Sequence, residues 1–199
     1  MAPPRKHSTD DILDAARALV LAEGPRAASV AAISHASGAP VGTLYHRFGN
    51  RDGVLAAAWF RALDRFQSEA LAADAAHLDD PVEAGVAMAG AALAFAATHP
   101  DDARLLLAVR QHDLLDGAPD ALRAQLDARN APLQAAVARI ARALYGRADA
   151  RAIDRVTRAV VDVPTAAVRR HVREGGHKLP AWLAADVAAA ARTLLAIPR

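Results

Sequence analysis

Apolar residues recur at three- and four-residue spacing along most of this chain, and strand-like alternation persists nowhere, so the pattern predicts helices throughout. The first face is Ile12, Ala15, Ala16, Leu19 and Val20. Ser8-Thr9-Asp10-Asp11 opens it as a capping box and Gly24-Pro25 stops it. Val30, Ile33 and Ala36 then mark a short helix with Ser29 as its N-cap. Gly38 supplies the permissive backbone of a sharp turn. A second short helix runs from Pro40 to Phe48, with Pro40 in its first turn, where a missing N–H costs nothing. Two helices joined by a turn of about three to four residues containing Gly form the helix-turn-helix pattern. The first helix packs behind them to complete a three-helix unit.

A fourth helix starts near Arg51-Asp52 with the stripe Leu55, Trp59, Ala62, Leu63 and Phe66, and fades near Asp74. A fifth is predicted from Pro81 to Thr98, with Val82, Val86, Ala89, Leu93 and Ala97 inward. A shorter piece follows with Leu105, Leu106 and Val109. After Gly117-Ala118-Pro119 comes a long segment carrying Leu122, Leu126, Leu133, Val137, Ile140 and Leu144. Pro132 either kinks or divides it, with Asn130 as a second cap. Ala148 to Glu174 is helical by pattern and bent at Pro164. Pro180 opens a last helix with Trp182, Leu183, Val187, Leu194 and Leu195. The fold class is all-α, about nine helices in two parts, residues 1–55 and residues 56–199.

Composition agrees with this pattern. Of 199 residues 53% are apolar and only 4% aromatic, an alanine-rich balance that favours helix over strand. The formal net charge of +2 is too small to announce nucleic acid by itself, so any DNA contact must come from a local cluster. Arg5, Lys6, Arg47 and Arg51 can supply one. Cysteine is absent and the first ten residues carry no apolar run, which fits a reducing, cytoplasmic setting without a secretory signal. The uncharged run from Ala84 to Thr98 is short of the roughly 20 residues a membrane span needs, so no membrane partner is expected.

Enzyme chemistry finds little support. The chain has no GxSxG, no phosphate-binding loop and no dinucleotide-binding glycine set. No HxxxH pair exists, and His171 and His177 beside Gly175-Gly176 are only a weak hint of metal. No catalytic residue, cofactor or metal is expected. A small helical enzyme, metal-dependent or otherwise, and a helical interaction module that does not bind DNA stay open as alternatives.

The chemistry sits on the second short helix, where Thr43, Tyr45, His46 and Arg47 can touch phosphates or bases. Arg51, a cation at the start of a helix, is unfavourable with the helix dipole unless an anion lies near. The run from Gly38 to Leu55, with Gly42-Thr43-Leu44-Tyr45, Phe48 and Leu55 in register, resembles the tetracycline-repressor (TetR) family of transcriptional regulators. By motif the resemblance covers roughly the first third of the chain. It departs from the family pattern at Arg51, where lysine is usual, and at Ala39-Pro40-Val41, which lack the bidentate donors that distinguish G or A and can touch only a thymine methyl.

The resemblance implies a helix-turn-helix DNA-binding domain in residues 1–55 and a ligand-binding and dimerisation domain in residues 56–199. It implies a homodimeric, ligand-responsive regulator, a repressor, on a near-palindromic double-stranded DNA operator. DNA contact falls to Ser29, Val41, Thr43, Tyr45, His46, Arg47 and Arg51, with Leu44 and Phe48 as core. The last two helices are the dimer faces. A small-molecule effector would meet Met88, Phe95, Leu107, His112, Arg129 and Val137.

Overall fold

The computed structural model describes residues 7–111, 114, 119–173 and 178–196. Among these every regular element is a helix. In order they are α1 (Thr9–Glu23), α2 (Val30–Ser37), α3 (Val41–Phe48), α4 (Arg51–Ala75), α5 (Pro81–Thr98), α6 (Pro100–Ala108), α7 (Asp120–Tyr145), α8 (Ala150–Thr157), α9 (Val163–Arg173) and α10 (Leu183–Leu195). A π-helical segment, Arg158–Asp162, joins α8 to α9, so counting that stretch as one helix gives nine among the described residues. The chain divides into two compact units, Met1–Leu63 with Asp101–Pro119, and Asp64–Pro100 with Asp120–Arg199. The division falls inside α4, later than residue 55, and α6 returns to the first unit.

In the first unit α1 and α2 begin where side chains can cap them. Ser8 Oγ accepts from the Asp11 amide at 3.0 Å while Asp11 accepts from the Ser8 amide, the reciprocal capping box. Asp11 is held below the usual carboxylate range, first by its hydrogen bond with the Ser8 side chain and then by that from the Ser8 backbone. Ser29 Oγ accepts from the Ala32 amide and starts α2. Ile12, Leu13, Ala16 and Val20 of α1, Ile33 of α2, Leu44 of α3, and Val54, Ala58 and Trp59 of α4 are buried. The buried surface of α4 is much wider than one stripe. Ala36 is exposed and Ala39 is buried, the reverse of what the pattern predicts.

Charges join the helices of this unit. Arg61 donates to the Asp10 carboxylate at 2.9 Å and to Asp14 at 2.5 Å. Burial acts most strongly on its guanidinium and would lower its pKa, but the bonds to Asp10 and Asp14 outweigh it and the pKa is raised. Arg17 of α1 pairs with Asp102 of α6, whose side chain is almost wholly buried. Trp59 Nε1 donates to the Val109 carbonyl at 3.1 Å.

In the second unit Ala84, Met88, Ala136, Val137, Ile140, Ala141, Tyr145, Val156, Val160 and Leu195 form one core. Buried Tyr145 donates its hydroxyl to the Leu195 carbonyl at 3.0 Å. A Cβ on Gly85 would lie 2.6 Å from Leu195 Cδ1, so α10 packs against bare backbone there. Helix α5 keeps its predicted limits, with Asp80 capping and Pro81 at the first position, but its buried face is wider than the predicted stripe. Ala89 and Leu93 are buried as predicted, Val82 and Val86 are half-buried and Ala97 is exposed, while Ala84, Gly85, Met88, Ala92 and Phe95 are buried beside them. By length and composition α5 could cross a membrane, yet half of it is buried inside the fold, as a core helix is.

Two prolines behave differently from the pattern's expectation. Pro132 does not divide α7, and Asn130 is no cap but accepts from Gln67 Nε2 at 2.9 Å. Ahead of buried Pro164, the Val163 amide bonds the Arg158 carbonyl, an i→i−5 link. That wider turn carries the chain past a residue with no N–H and a bulky ring. At the last helix, Pro180 precedes a turn and α10 starts only at Leu183.

Candidate DNA-binding interface

Helix α3 is eight residues long and its side chains sort into three edges by the helical repeat. Leu44 points inward at 1% exposure. Thr43 and Arg47, one turn apart, are half-buried, as is Phe48. Val41, Gly42, Tyr45 and His46 form the outer edge, with Val41 42% and Tyr45 52% exposed. A valine and a tyrosine exposed along one edge offer apolar surface to a partner.

The start of α3 is open. Pro40 is its N-cap rather than a first-turn residue, and no side chain caps the helix. The first amides that bond back are those of Thr43 and Leu44, both to the Pro40 carbonyl. The first turn holds no acidic residue, and His46 and Arg47 lie in the last turn. An uncapped helix start without a carboxylate favours an anion. Gly42, Thr43, His46 and Arg47 line an open recess beside it.

The two arginines are held by the protein. Arg47 donates through Nη1 to the His7 carbonyl at 3.0 Å and to Thr9 Oγ1 at 3.5 Å, securing the start of α1. Arg51 donates through Nε to the Ala28 carbonyl at 3.1 Å, through Nη2 to the Pro25 carbonyl, and through Nη1 to Asp52 at 2.6 Å. These oxygens are the negative partners that a cation at a helix start requires, so a phosphate is not needed to explain Arg51. Ser29 is exposed and spends its hydroxyl on the α2 cap. Ala39 is buried and cannot reach a thymine methyl. Arg5 and Lys6 lie outside the described residues.

Two glycines shape the junction, and the pattern revealed only the first. Gly38 ends α2 in the left-handed region at φ 69°, as the turn requires. A Cβ on Gly53 would stand 2.0 Å from the Phe48 carbonyl oxygen, so the α3–α4 corner excludes any side chain there. The Gly53 amide instead donates to Asn50 Oδ1 at 2.8 Å.

Of the expected effector residues, Met88 and Val137 share the buried core of the second unit. Phe95 meets Phe66 edge-on at 5.5 Å and stacks on His99 at 5.2 Å. Arg129 pairs with Asp64 at 3.0 Å, which answers its charge without a ligand. Leu107 belongs to the first unit, and His112 lies outside the described residues. His171 is edge-on to Trp182, and His177 lies outside the described residues. Among the described residues no group of three or more His, Asp or Glu could hold a metal.

Among the described residues every regular element is a helix, and the first unit carries a helix-turn-helix whose second helix has an uncapped start and an exposed outer edge. Residues 12–58 match the family described as bacterial regulatory proteins, tetR family, which bears out the resemblance carried by Gly42-Thr43-Leu44-Tyr45. The fold over nearly the whole chain is that of solved regulators of low identity. The fatty acid degradation regulator FadR from Bacillus halodurans has a TM-score of 0.69 at 17% identity, covering 96% of this chain and 100% of that one. A transcriptional regulator from Rhodococcus sp. RHA1 has a TM-score of 0.72 at 15% identity, covering 94% and 96%. A TetR-like transcriptional regulator from the same organism has a TM-score of 0.67 at 21% identity, covering 95% and 96%. No curated protein sequence matches the chain.

Proposed function

We propose that this chain is a cytoplasmic, ligand-responsive transcriptional regulator, a repressor, which binds a near-palindromic duplex operator as a homodimer and is released by a small-molecule effector. The observation that carries the reading is the outer edge of α3, where Val41, Gly42, Tyr45 and His46 stand open beside an uncapped helix start. Val41 offers a methyl contact, Tyr45 and Thr43 offer hydroxyls to phosphates, and His46 offers a ring nitrogen to a base edge. Arg47, Arg51 and Ser29 support this surface by holding the neighbouring backbone. The family that residues 12–58 match is one of regulators.

The last two helices are the dimer faces in this reading. Exposed Ala185 and Ala189 lie one turn apart along α10, and small side chains let a twofold-related helix approach closely. The effector acts within the second unit. Met88 and Val137 lie in its buried core, so an effector that uses them favours the conformer that admits it there. Helix α4 belongs to both units, so a ligand that biases its second half also acts on its first, and effector and DNA weaken each other reciprocally.

The test is selection by the full chain from a randomised duplex pool, with the mass in solution measured by sedimentation. Enrichment of an inverted repeat, with half-sites about one helical turn or a multiple apart, bound by two chains is the expected outcome. A chain that enriches no duplex contradicts the reading.

A further inference from the structure

Charge is unevenly distributed along the chain. Residues 142–199 carry eleven Lys or Arg against five Asp or Glu, whereas residues 64–141 carry six against twelve. Part of the basic excess gathers where α7 ends and α8 begins. Tyr145, Arg147, Arg151, Ala152 and Arg155 line a recess there of about 250 Å³, its open mouth included. Pockets for drug-sized ligands span roughly 300–1,000 Å³, so this one suits a small group or the head of a larger molecule.

The corner differs from an ordinary solvated surface. Its floor is fixed, because Tyr145 is buried with its hydroxyl on the Leu195 carbonyl. Arg155 lies over the Tyr145 ring, its Cζ 5.2 Å from the centroid. Arg151 and Arg155 stand at i, i+4 on α8, where like charges repel. Asp149 is already engaged, accepting from the Ala152 amide at 2.9 Å and pairing with Arg147 at 2.9 Å. The exposed side chain of Arg151 has no ion pair or hydrogen bond among the described residues. An anion in the recess returns the stability that this repulsion costs.

We infer that the recess is an anion site for a phosphoryl group, free or carried by a small organic molecule, held by Arg147, Arg151 and Arg155. Guanidinium forks match phosphate oxygens in pairs. Three forks suit the three free oxygens and double charge of a phosphate monoester better than the two oxygens of a carboxylate. The helix start adds nothing, since Asp149 caps α8, so the arginines alone hold the anion. The site lies wholly within the second unit and does not rest on the DNA-binding reading. Tyr145 and Ala152 belong to the core of that unit, so a bound phosphate also braces its fold.

The test is titration calorimetry of the full chain with inorganic phosphate and with glycerol phosphate, in chloride at fixed ionic strength. Saturable binding of one anion per chain is expected, and the tighter of the two identifies the source. Arg151→Gln, a change at an exposed side chain, should weaken that binding by about tenfold or more. Arg151→Lys, which keeps the charge but loses the fork, should fall between. Arg169→Gln on α9 is the control and should bind as wild type. Phosphate at about ten times Kd should raise the wild-type Tm by about 3–6 °C over chloride of equal ionic strength. Phosphate also stabilises proteins by exclusion from their surface, so an equal rise in Arg151→Gln would mark only that general effect and overturn the inference. Equal affinity in wild type and Arg151→Gln, or no binding of either phosphate at millimolar concentration, overturns it as well. So does a fall in affinity for duplex DNA on Arg151→Gln without phosphate binding, which would assign these arginines to nucleic acid. A chain that selects no duplex removes the regulator reading and leaves this site standing.

Discussion

Arg51 Nε donates to the Ala28 carbonyl at 3.1 Å, and the same guanidinium reaches the Pro25 carbonyl and the Asp52 carboxylate. One side chain at the start of α4 therefore fixes the loop that leads into α2. The planar fork of arginine serves three acceptors at once, which a lysine ammonium on a flexible stem does poorly. Arg51→Lys is expected to destabilise the chain by about 1–3 kcal/mol in urea unfolding. If Arg51 served mainly to grip phosphate, the lysine variant would keep both full stability and full DNA affinity.

The Arg17–Asp102 pair makes a second prediction. Asp102 is 2% exposed, so its carboxylate depends on protein partners for what water would supply. Arg17→Met should cost about 1–3 kcal/mol, because it removes a charged partner from a buried carboxylate. The double variant Arg17→Met, Asp102→Leu should recover part of that loss, since it also removes the carboxylate that the partner served. A double-mutant cycle in denaturant measures the coupling, and purely additive losses would show that the pair contributes nothing of its own.

The capping box gives a pH dependence. Asp11 has a lowered pKa in the folded chain through its bonds with Ser8, so its ionised form is the one folding favours. The resulting stability is present above the ordinary carboxylate pKa and is lost as pH falls through the lowered one. Asp11→Asn should flatten the acid limb of the stability profile in that window and leave the profile near neutrality with the same slope. An unchanged acid limb would show that the cap does not titrate with folding.

How much of this could be read from the sequence depended on contrast between neighbouring positions. Ser8, Ser29, Asp80 and Pro81 are strong local signals, and the starts of α1, α2 and α5 fall where they indicate. Within α5 the signal was weaker. More than half of its positions are alanine or glycine, so inward and outward faces differ little in hydrophobicity and the full width of the buried face did not show. Pro164 announced a disturbance, but only the backbone reveals a π turn, and Pro132 sits in a helix that stays whole. At the interface the motif located α3. It could not tell that Arg47 and Arg51 bond carbonyls, because those partners, His7, Pro25 and Ala28, are set by tertiary geometry. The same holds for Gly42 and Gly53, which look alike in sequence and differ wholly in their surroundings.

The outer edge of α3 is the central claim, and it is tested by replacing that edge alone. Val41→Ala, Tyr45→Ala and His46→Ala combined should leave helicity and the dimer intact, since all three side chains are exposed. Affinity for the selected duplex, measured by fluorescence anisotropy, should fall by at least about a hundredfold, the loss of one methyl contact and two polar ones. A triple variant that binds that duplex with wild-type affinity would contradict the account.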